Sequence, residues 1–565
     1  MLTSDKPGAR IIAELLSSYG VRHVVTCPGS RNAPLIVALD AMPDIITTVV
    51  VDERSAAFIA MGKALQSGRP VAVVCTSGSA LLNIAPAASE AYYRHIPLII
   101  ISADRPKEWI DQDDSQTIRQ PGALAAVVKG SFNLSDEPAT DRLRFRYHER
   151  QVNDALDLAL RSPRGPVHIN VELDAPLQGM ADYAPCARRV SVVRPLQRLS
   201  KADAASLAAE TRGRNVLIVA GFMEPNQKIN RAIDKFSNKM NVVILAEAQS
   251  NIHSTIPNLI QNIDVTLRGR SIQDLVRMAP DLVITIGGAI LSRHIKDYLR
   301  RLEDVEQWHI GAQPYCVDSM LHLTRRIEIE PAMALPVLAG AMPPAPETDY
   351  VLAWHKASRD GAEHAEELAK TLPWSDFKAM AMVEDKLNRC YPRVNVHLSN
   401  GTAVRYFQLF DYSNIHRIDC NRGVSGIDGC TSTAIGATSV YSGITVLITG
   451  DMSAQYDMGA LACGCVHSRF RMVVLNNGGG GIFRFVKSTK NLPQLETHFA
   501  ATTELPLRHL AAGLGYNYFQ ATTAEELDAV FDDFMAPSGL PAILNLYTSS
   551  ELSAQILNDY FSCNI

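Results

Sequence analysis

Short runs rich in Val and Ile alternate with helix-like stretches along most of the chain, and each run ends in a turn or a cluster of small residues. That alternation is the pattern of βα units laid into parallel sheets. In the first part of the chain it predicts strands over His23–Thr26, Ile46–Val51, Val71–Cys75 and Leu98–Ser102, with helices such as Ala9–Tyr19 between them. A second block begins near Asn215 with NVLIVAG and continues through VVILAEA and DLVITIGG. It stops before the proline-rich AMPPAPETD of residues 341–349, which reads as a linker. A third block, from about Trp354, carries VNVHLSN, HRIDCN, TVLITGD, FRMVVLNN and PAILNLYTS. With no short tandem repeat in sight, the simplest architecture is three successive parallel-sheet α/β domains, over residues 1–185, 195–345 and 354–565.

Bulk properties narrow the function classes. A chain of 565 residues is too long for one ordinary core, and 47% hydrophobic with 20% charged residues is the balance of a globular protein. Lys and Arg are dispersed and the formal net charge is -5, so nothing points to nucleic acid. There is no apolar run of about 18 residues, and the opening MLTSDKPGAR lacks the layout of a signal peptide. A cytoplasmic protein without membrane contact is expected. The ten cysteines are scattered, and most are expected to be small buried hydrophobes. Cys463 and Cys465 form a lone CxC inside a predicted helix, for which a zinc or redox reading has little support.

The strongest chemical signal is TVLITGDMSAQYDMGALACGCVHSRFRMVVLNNGGGGIF, residues 445–483. One apolar strand ends at Gly450-Asp451, a helix crosses back, and the next strand ends at Asn476-Asn477. Two strand ends thus present oxygen-bearing side chains on one sheet edge, where open α/β sheets bind ligands. One carboxylate and one amide oxygen make a poor zinc site but suit a hard cation such as Mg²⁺ that draws its other ligands from water and phosphate. Gly478 to Gly481 would let backbone approach metal and phosphates. Taken singly, a glycine run can be only a loop and an Asp at a strand end only a helix cap. Together, GD followed by NN across a strand-helix-strand unit resembles the signature of thiamine-diphosphate enzymes, with Met452 where many members have Gly. Those enzymes also need a carboxylate beside the aminopyrimidine ring, and Glu53 stands at the strand-helix junction of ITTVVVDERSAAFIAMGKAL. A protonated Glu53 could hydrogen-bond the ring nitrogen and favour the imino tautomer. The competing reading is that Asp52 and Glu53 merely cap a helix.

The set TCPGSRNAPL, VDERSAAFIAMG, TSGSALLNIAPAASEA, ISADRP, DSQTIRQPG and NRGVSGIDG resembles one family, the menaquinone-pathway 2-succinyl-5-enolpyruvyl-6-hydroxy-3-cyclohexene-1-carboxylate synthases. The motifs lie in the first and third blocks, and the middle block matches only weakly. The resemblance implies a pyrimidine-binding first domain, a central domain and a diphosphate-binding third domain. It implies a homodimer or homotetramer with active sites at subunit interfaces, and thiamine diphosphate with Mg²⁺ or Mn²⁺. It also implies decarboxylation of 2-oxoglutarate and transfer of the succinyl unit to isochorismate. Cofactor contacts are implied for Glu53, Gly450, Asp451, Met452, Ser453, Asn477 and Gly479, of which Asp451, Asn477 and Gly479 hold the metal. Ile427 is the implied apolar wedge under the cofactor, and Ile482 and Phe483 help line the site. Ser30, Arg31, Arg105 and Gln116 match positions that contact isochorismate. Asn400, Arg405 and Arg422 match positions near the succinyl carboxylate, and Arg293, in GGAILSRHIK, stands near a position where the family often has Lys. Gly401 replaces a common Ser. Arginine suits both substrates, because each is a dianion and a guanidinium binds carboxylate in a bidentate way.

Other readings are weaker. Ser77 and Ser79 in TSGSALLN lack a GxSxG elbow and a placed His, so a turn packing against cofactor is favoured over a nucleophile. No GxGxxG follows the first strand, which argues against a dinucleotide enzyme. The rivals are another thiamine-dependent lyase or carboligase, such as an acetolactate synthase-like protein, and a catalytically silent relative. Presence of the Glu, the Asp and the Asn argues against the second.

Overall fold

The computed structural model describes residues 2–135, 142–391, 393–501 and 505–562. Three six-stranded sheets follow one another along the chain. In the first, the strand order is Ile46–Val49, His23–Thr26, Val71–Cys75, Leu98–Asp104, Val167–Glu172, Ser131–Leu134. The third has the same winding, Arg417–Cys420, Asn395–Leu398, Thr445–Gly450, Phe470–Asn476, Ala542–Tyr547, Asn517–Ala521. The middle sheet runs Leu259–Ile260, Val242–Ala246, Val216–Ala220, Leu282–Ile286, Glu306–Ile310, Leu323–Ile327. Every pairing within these sheets is parallel. The α/β fold of the thiamine-enzyme type is therefore as expected, and an additional two-stranded antiparallel pair joins Leu2–Ser4 to Met180–Asp182.

Local sequence explains the elements. The central strands VAVVC, VLIVA and VVILA are buried along their whole length, as strands covered on both faces must be. The edge strand beginning at Ile46 stops at Val49, because the chain must turn before Asp52 can cap the next helix. The predicted helix over Ala9–Tyr19 runs from Pro7 to Ser18, with Pro at its first position, where a missing N–H costs nothing.

Four details depart from the sequence pattern. The proline-rich stretch is held against the middle sheet, with Met240 N donating to Ala345 O at 3.2 Å and Ala345 N to Asn238 O at 3.0 Å. Trp354, the expected opening of the third block, is buried on that same sheet, and its indole N–H donates to Met278 O at 3.0 Å. Cys463 and Cys465 are not in a helix: the chain leaves a 3-10 turn at Ala462, and Gly464 has φ +71°. Among the nine described cysteines only Cys27, Cys75, Cys420 and Cys430 are buried, so the expectation for most of them does not hold.

The first and third sheets share one core. Helix Glu53–Ser67 of the first crosses helix Cys430–Val440 of the third so closely that a Cβ on Gly62 would lie 2.0 Å from Thr433 O. A Cβ on Gly436 would lie 2.1 Å from Ile59 O. Small residues at the crossing are what allow the backbones to meet.

Burial of two histidines makes stability pH-dependent. His168 accepts or donates at 2.8 Å to Ser102 Oγ, and burial pushes its imidazole down from 6.5 to about 4. His397 is likewise pushed by burial to about 4, against the pull of Asp419. Both stay neutral in the fold where the unfolded chain would take up protons. The stability they contribute is complete above pH 6.5 and is lost as pH falls toward 4. Each is expected to cost about 1.4 kcal/mol per pH unit across that window. Thermal melts between pH 7 and pH 4 should show a smaller fall in Tm for His168→Gln than for the wild type.

Candidate active site

In the third sheet, strands Thr445–Gly450 and Phe470–Asn476 are neighbours in parallel register, which brings the segments after them together. Asp451 opens the helix after the first strand and is 4% exposed. Its Oδ2 accepts the N–H of Gly478 at 2.7 Å and of Gly479 at 2.9 Å, and its Oδ1 that of Met452 at 2.6 Å. Burial raises its carboxyl to about 6, against the pull of those three amides. Gly478 has φ +83° and Gly479 φ +154°, a course that side chains would resist. Asn477 turns its amide N–H toward Asp376, donating to Oδ2 at 2.7 Å. Its Oδ1 is buried and has no hydrogen-bond partner. A buried carbonyl oxygen left over beside a buried carboxylate is a donor set that a hard cation completes. Among the described residues no group of three or more His, Cys, Asp or Glu is placed to hold a metal.

The same helix start binds the next loop. Ser453 Oγ donates to Ile427 O at 3.0 Å, and Ile427 is itself half-buried. Ile482 and Phe483 sit in a 3-10 turn, with the Phe483 ring 5.8 Å from that of Phe499. Gly450 precedes Asp451 as the helix N-cap.

One strand over, Asn400 and Arg422 follow the paired strands Asn395–Leu398 and Arg417–Cys420. Asn400 Nδ2 donates to Asn421 O at 2.6 Å and Gly426 O at 2.7 Å, and its Oδ1 accepts from Arg422 at 3.0 Å. The Nε atoms of Arg422 and Arg405 are buried without hydrogen-bond partners. Arg405 is held below the usual guanidinium range by burial and by the charge of Arg422. Arg293, although exposed, is close enough to add to that repulsion. Arg405 is offset only in part by Asp264, so the guanidiniums packed together favour an anion among them.

On the first sheet, Asp52 caps helix Glu53–Ser67 by accepting from Arg54 N at 3.0 Å and Ser55 Oγ at 2.9 Å. The cap is thus made without Glu53, whose Oε2 accepts from Asn83 Nδ2 at 3.2 Å. Ser30 and Gln116 are exposed, and Gln116 has φ +60° and lies against Gly78. Arg31 donates to Leu173 O at 2.8 Å. Arg105 is engaged by Asp114 at 2.8 Å and Ser115 O at 3.0 Å. Burial, then the nearby charge of Arg105, lowers Arg31. Ser77 is buried and Ser79 starts a short helix, a turn rather than a nucleophile elbow. Among the described residues no hydrogen bond or ion pair joins Glu53, Arg31 or Arg105 to the Asp451 cluster.

Comparison with known proteins decides the family. Residues 6–123 match the family described as thiamine pyrophosphate enzyme, N-terminal TPP binding domain, and residues 190–385 match the one described as middle domain of thiamine pyrophosphate. A 2-succinyl-5-enolpyruvyl-6-hydroxy-3-cyclohexene-1-carboxylate synthase of Porphyromonas gingivalis is 38% identical over 99% of this chain and 97% of its own length. Proteins of the same name from Christiangramia forsetii and Flavobacterium psychrophilum are each 35% identical, over 100% and 99% of this chain and 99% of their own lengths. The chain belongs to this synthase family. It is a thiamine-diphosphate-dependent enzyme, as its sequence motifs implied.

Sequence reasoning missed the residues that hold these groups in place. Asp376 orients Asn477 and also accepts from Thr548 Oγ1, yet as a first-turn Asp after Ser375 it looks like any helix-start residue. In the middle domain, buried Glu247 accepts from Leu291 N at 2.8 Å and Ser292 N at 2.7 Å, fixing the turn before Arg293. Burial pushes Glu247 up to about 7 despite those amides. Asp264 accepts from Ser292 Oγ and from His294 Nδ1. Their only sequence signal was acidity inside an apolar block. Asp376→Ala should lower stability by about 2 kcal/mol in denaturant titrations and weaken thiamine diphosphate binding by about tenfold in calorimetry.

Proposed function

We propose that this enzyme decarboxylates 2-oxoglutarate and joins the succinyl unit to isochorismate, using thiamine diphosphate held by Mg²⁺, for which Mn²⁺ can substitute. The observation that carries the metal reading is the partnerless, buried Oδ1 of Asn477, whose neighbour Gly478 donates its N–H to the buried carboxylate of Asp451. With the backbone of Gly479 these would bind the cation, and the cation the diphosphate. Bound thiamine supplies the carbon at which a 2-oxo acid can lose CO₂.

The protein's own groups then have distinct tasks. Glu53, free of the capping role, would hold a proton at the aminopyrimidine ring nitrogen. Ile427 would press on the cofactor from the loop that Ser453 anchors. Arg405, Arg422 and Arg293 would take the distal carboxylate of the 2-oxo acid, since an anion relieves the repulsion among the guanidiniums, with Asn400 holding Arg422 beside it through its Oδ1. Ser30, Arg31, Arg105 and Gln116 would receive isochorismate, with Arg105 exchanging Asp114 for a substrate carboxylate.

Glu53 sits beside apolar surface that a second subunit would cover. Val49 is 61% exposed and Val51 77%, and Leu82, next to Asn83, is 48% exposed. Such a patch favours a homodimer or a homotetramer with active sites at the interfaces. No helix among the described residues is long and apolar enough to cross a membrane.

The direct test supplies purified protein, thiamine diphosphate and Mg²⁺, and follows 2-oxoglutarate, isochorismate and product mass. Joint consumption yielding the decarboxylated adduct is expected, whereas 2-oxoglutarate loss indifferent to isochorismate would discard the acceptor. Glu53→Gln should bind cofactor normally but lose about 10²- to 10⁴-fold in turnover. Full activity in that variant would refute the proton assignment. Asp451→Asn should keep its melting temperature within a few degrees and lose metal-dependent cofactor binding by more than about 100-fold.

A further inference from the structure

The loop between Asn421 and Gly429 carries both Arg422 and Ile427, and it is irregular, with Ser425 at φ +63°. From inside the third domain, Asn400 ties its two ends together through Asn421 O and Gly426 O. The middle of the loop is gripped from a different domain. Glu90, on helix Ala85–Tyr93 beside the first sheet, is 1% exposed. Its Oε1 accepts from Gly423 N at 2.8 Å and its Oε2 from Val424 N at 2.7 Å. A Cβ on Gly423 would lie 2.7 Å from Glu90 O and 3.0 Å from its Oε2, so the close approach depends on glycine there.

One helical turn on, Arg94 grips the strand end before the loop. It donates to Cys420 O at 2.7 Å and pairs with Asp419 at 3.4 Å, and Asp419 also takes Arg417 Nε at 2.6 Å. Residues four apart on a helix lie on one face, so Glu90 and Arg94 act side by side. Burying a carboxylate to hold two amides is costly when a neutral acceptor could serve one of them. What the carboxylate adds is two acceptor oxygens at a fixed spacing, which fix two successive amides and thereby the direction in which residue 422 leaves the backbone.

We propose that Glu90 is a positioning residue for substrate choice: by clamping the amides of Gly423 and Val424 it holds Arg422 where its guanidinium can meet the distal carboxylate of the 2-oxo acid. The idea rests on the functional reading above for the identity of that substrate.

The test uses the holoenzyme and Glu90→Gln, in which the side chain keeps its size but offers one oxygen to two amides. Hydrogen exchange in residues 421–428 should accelerate. The KM for 2-oxoglutarate and the Kd for glutarate, a dicarboxylate probe that cannot react, should each rise about tenfold. The KM for isochorismate and the affinity for thiamine diphosphate should stay within about twofold. Gly423→Ala approaches the same contact from the other side and should give the same split, with the double variant no worse than either single one. If Glu90→Gln does not fold, Gly423→Ala carries the test. Faster exchange with unchanged glutarate binding would overturn the proposal. So would an equal loss for both substrates and cofactor, which is the mark of a merely structural residue. Should the wild type neither bind glutarate nor consume 2-oxoglutarate while the loop still responds to Glu90→Gln, the substrate assignment fails and the proposal falls with it, although the clamp itself stands.

Discussion

The crossing of helices Glu53–Ser67 and Cys430–Val440 is the constraint on which the catalytic arrangement depends. Ser55 through Leu65 are buried without a break, because the first sheet covers one side of that helix and the third domain the other. A helix so enclosed cannot shift without opening the shared core, and Gly62 and Gly436 leave no room for an intermediate spacing. Each helix begins at a candidate functional residue or loop. Glu53 opens one, and the other starts just after Gly429, whose φ of +70° and contact with Phe58 end the loop bearing Arg422 and Ile427. The carboxylate proposed to handle the proton and the loop proposed to press on the cofactor are thus referred to one rigid joint.

Around that joint the fold buries charge more often than a stable core requires. Asp419 lies between Arg417 and Arg94, and although burial alone would raise its carboxyl, the two guanidiniums hold it down at about 2. Arg417 also donates to Leu65 O at 3.0 Å, reaching the crossing helix. Glu247 and Asp264 in the middle domain fix the turn that presents Arg293. These pairs cost desolvation, and their return is direction: each fixes a backbone segment next to a cation or an oxygen that the chemistry would use.

Repeating one winding in the first and third sheets has a further consequence. In both, the second strand lies outside the first and the third lies inside it, so the chain reverses direction across the sheet at the same place. Ligands favour such switch points at the carboxyl ends of strands. Ser30, Glu53 and Arg105 follow strands of the first sheet, and Asn400, Arg422, Asp451 and Asn477 follow strands of the third. Two similar halves thereby carry different chemistry, set by which side chain each strand end happens to hold.

By itself the sequence determined the strands and where they stop, because apolar runs and the glycines or acids that end them are local features. Asp451 and Asn477 were legible for that reason, each standing where a run breaks, and Glu53 likewise at the start of its helix. The motifs also carried the family. What holds those residues was not legible, since it comes from far along the chain: Asp376 reaches Asn477 across 101 positions, and Glu90 reaches Gly423 across 333. Nor could periodicity show that Trp354 belongs to the middle sheet or that Arg105 is engaged by Asp114. A partner for a buried polar group is chosen by whichever segment the packed core brings within about 3 Å of it, and only the tertiary structure makes that choice.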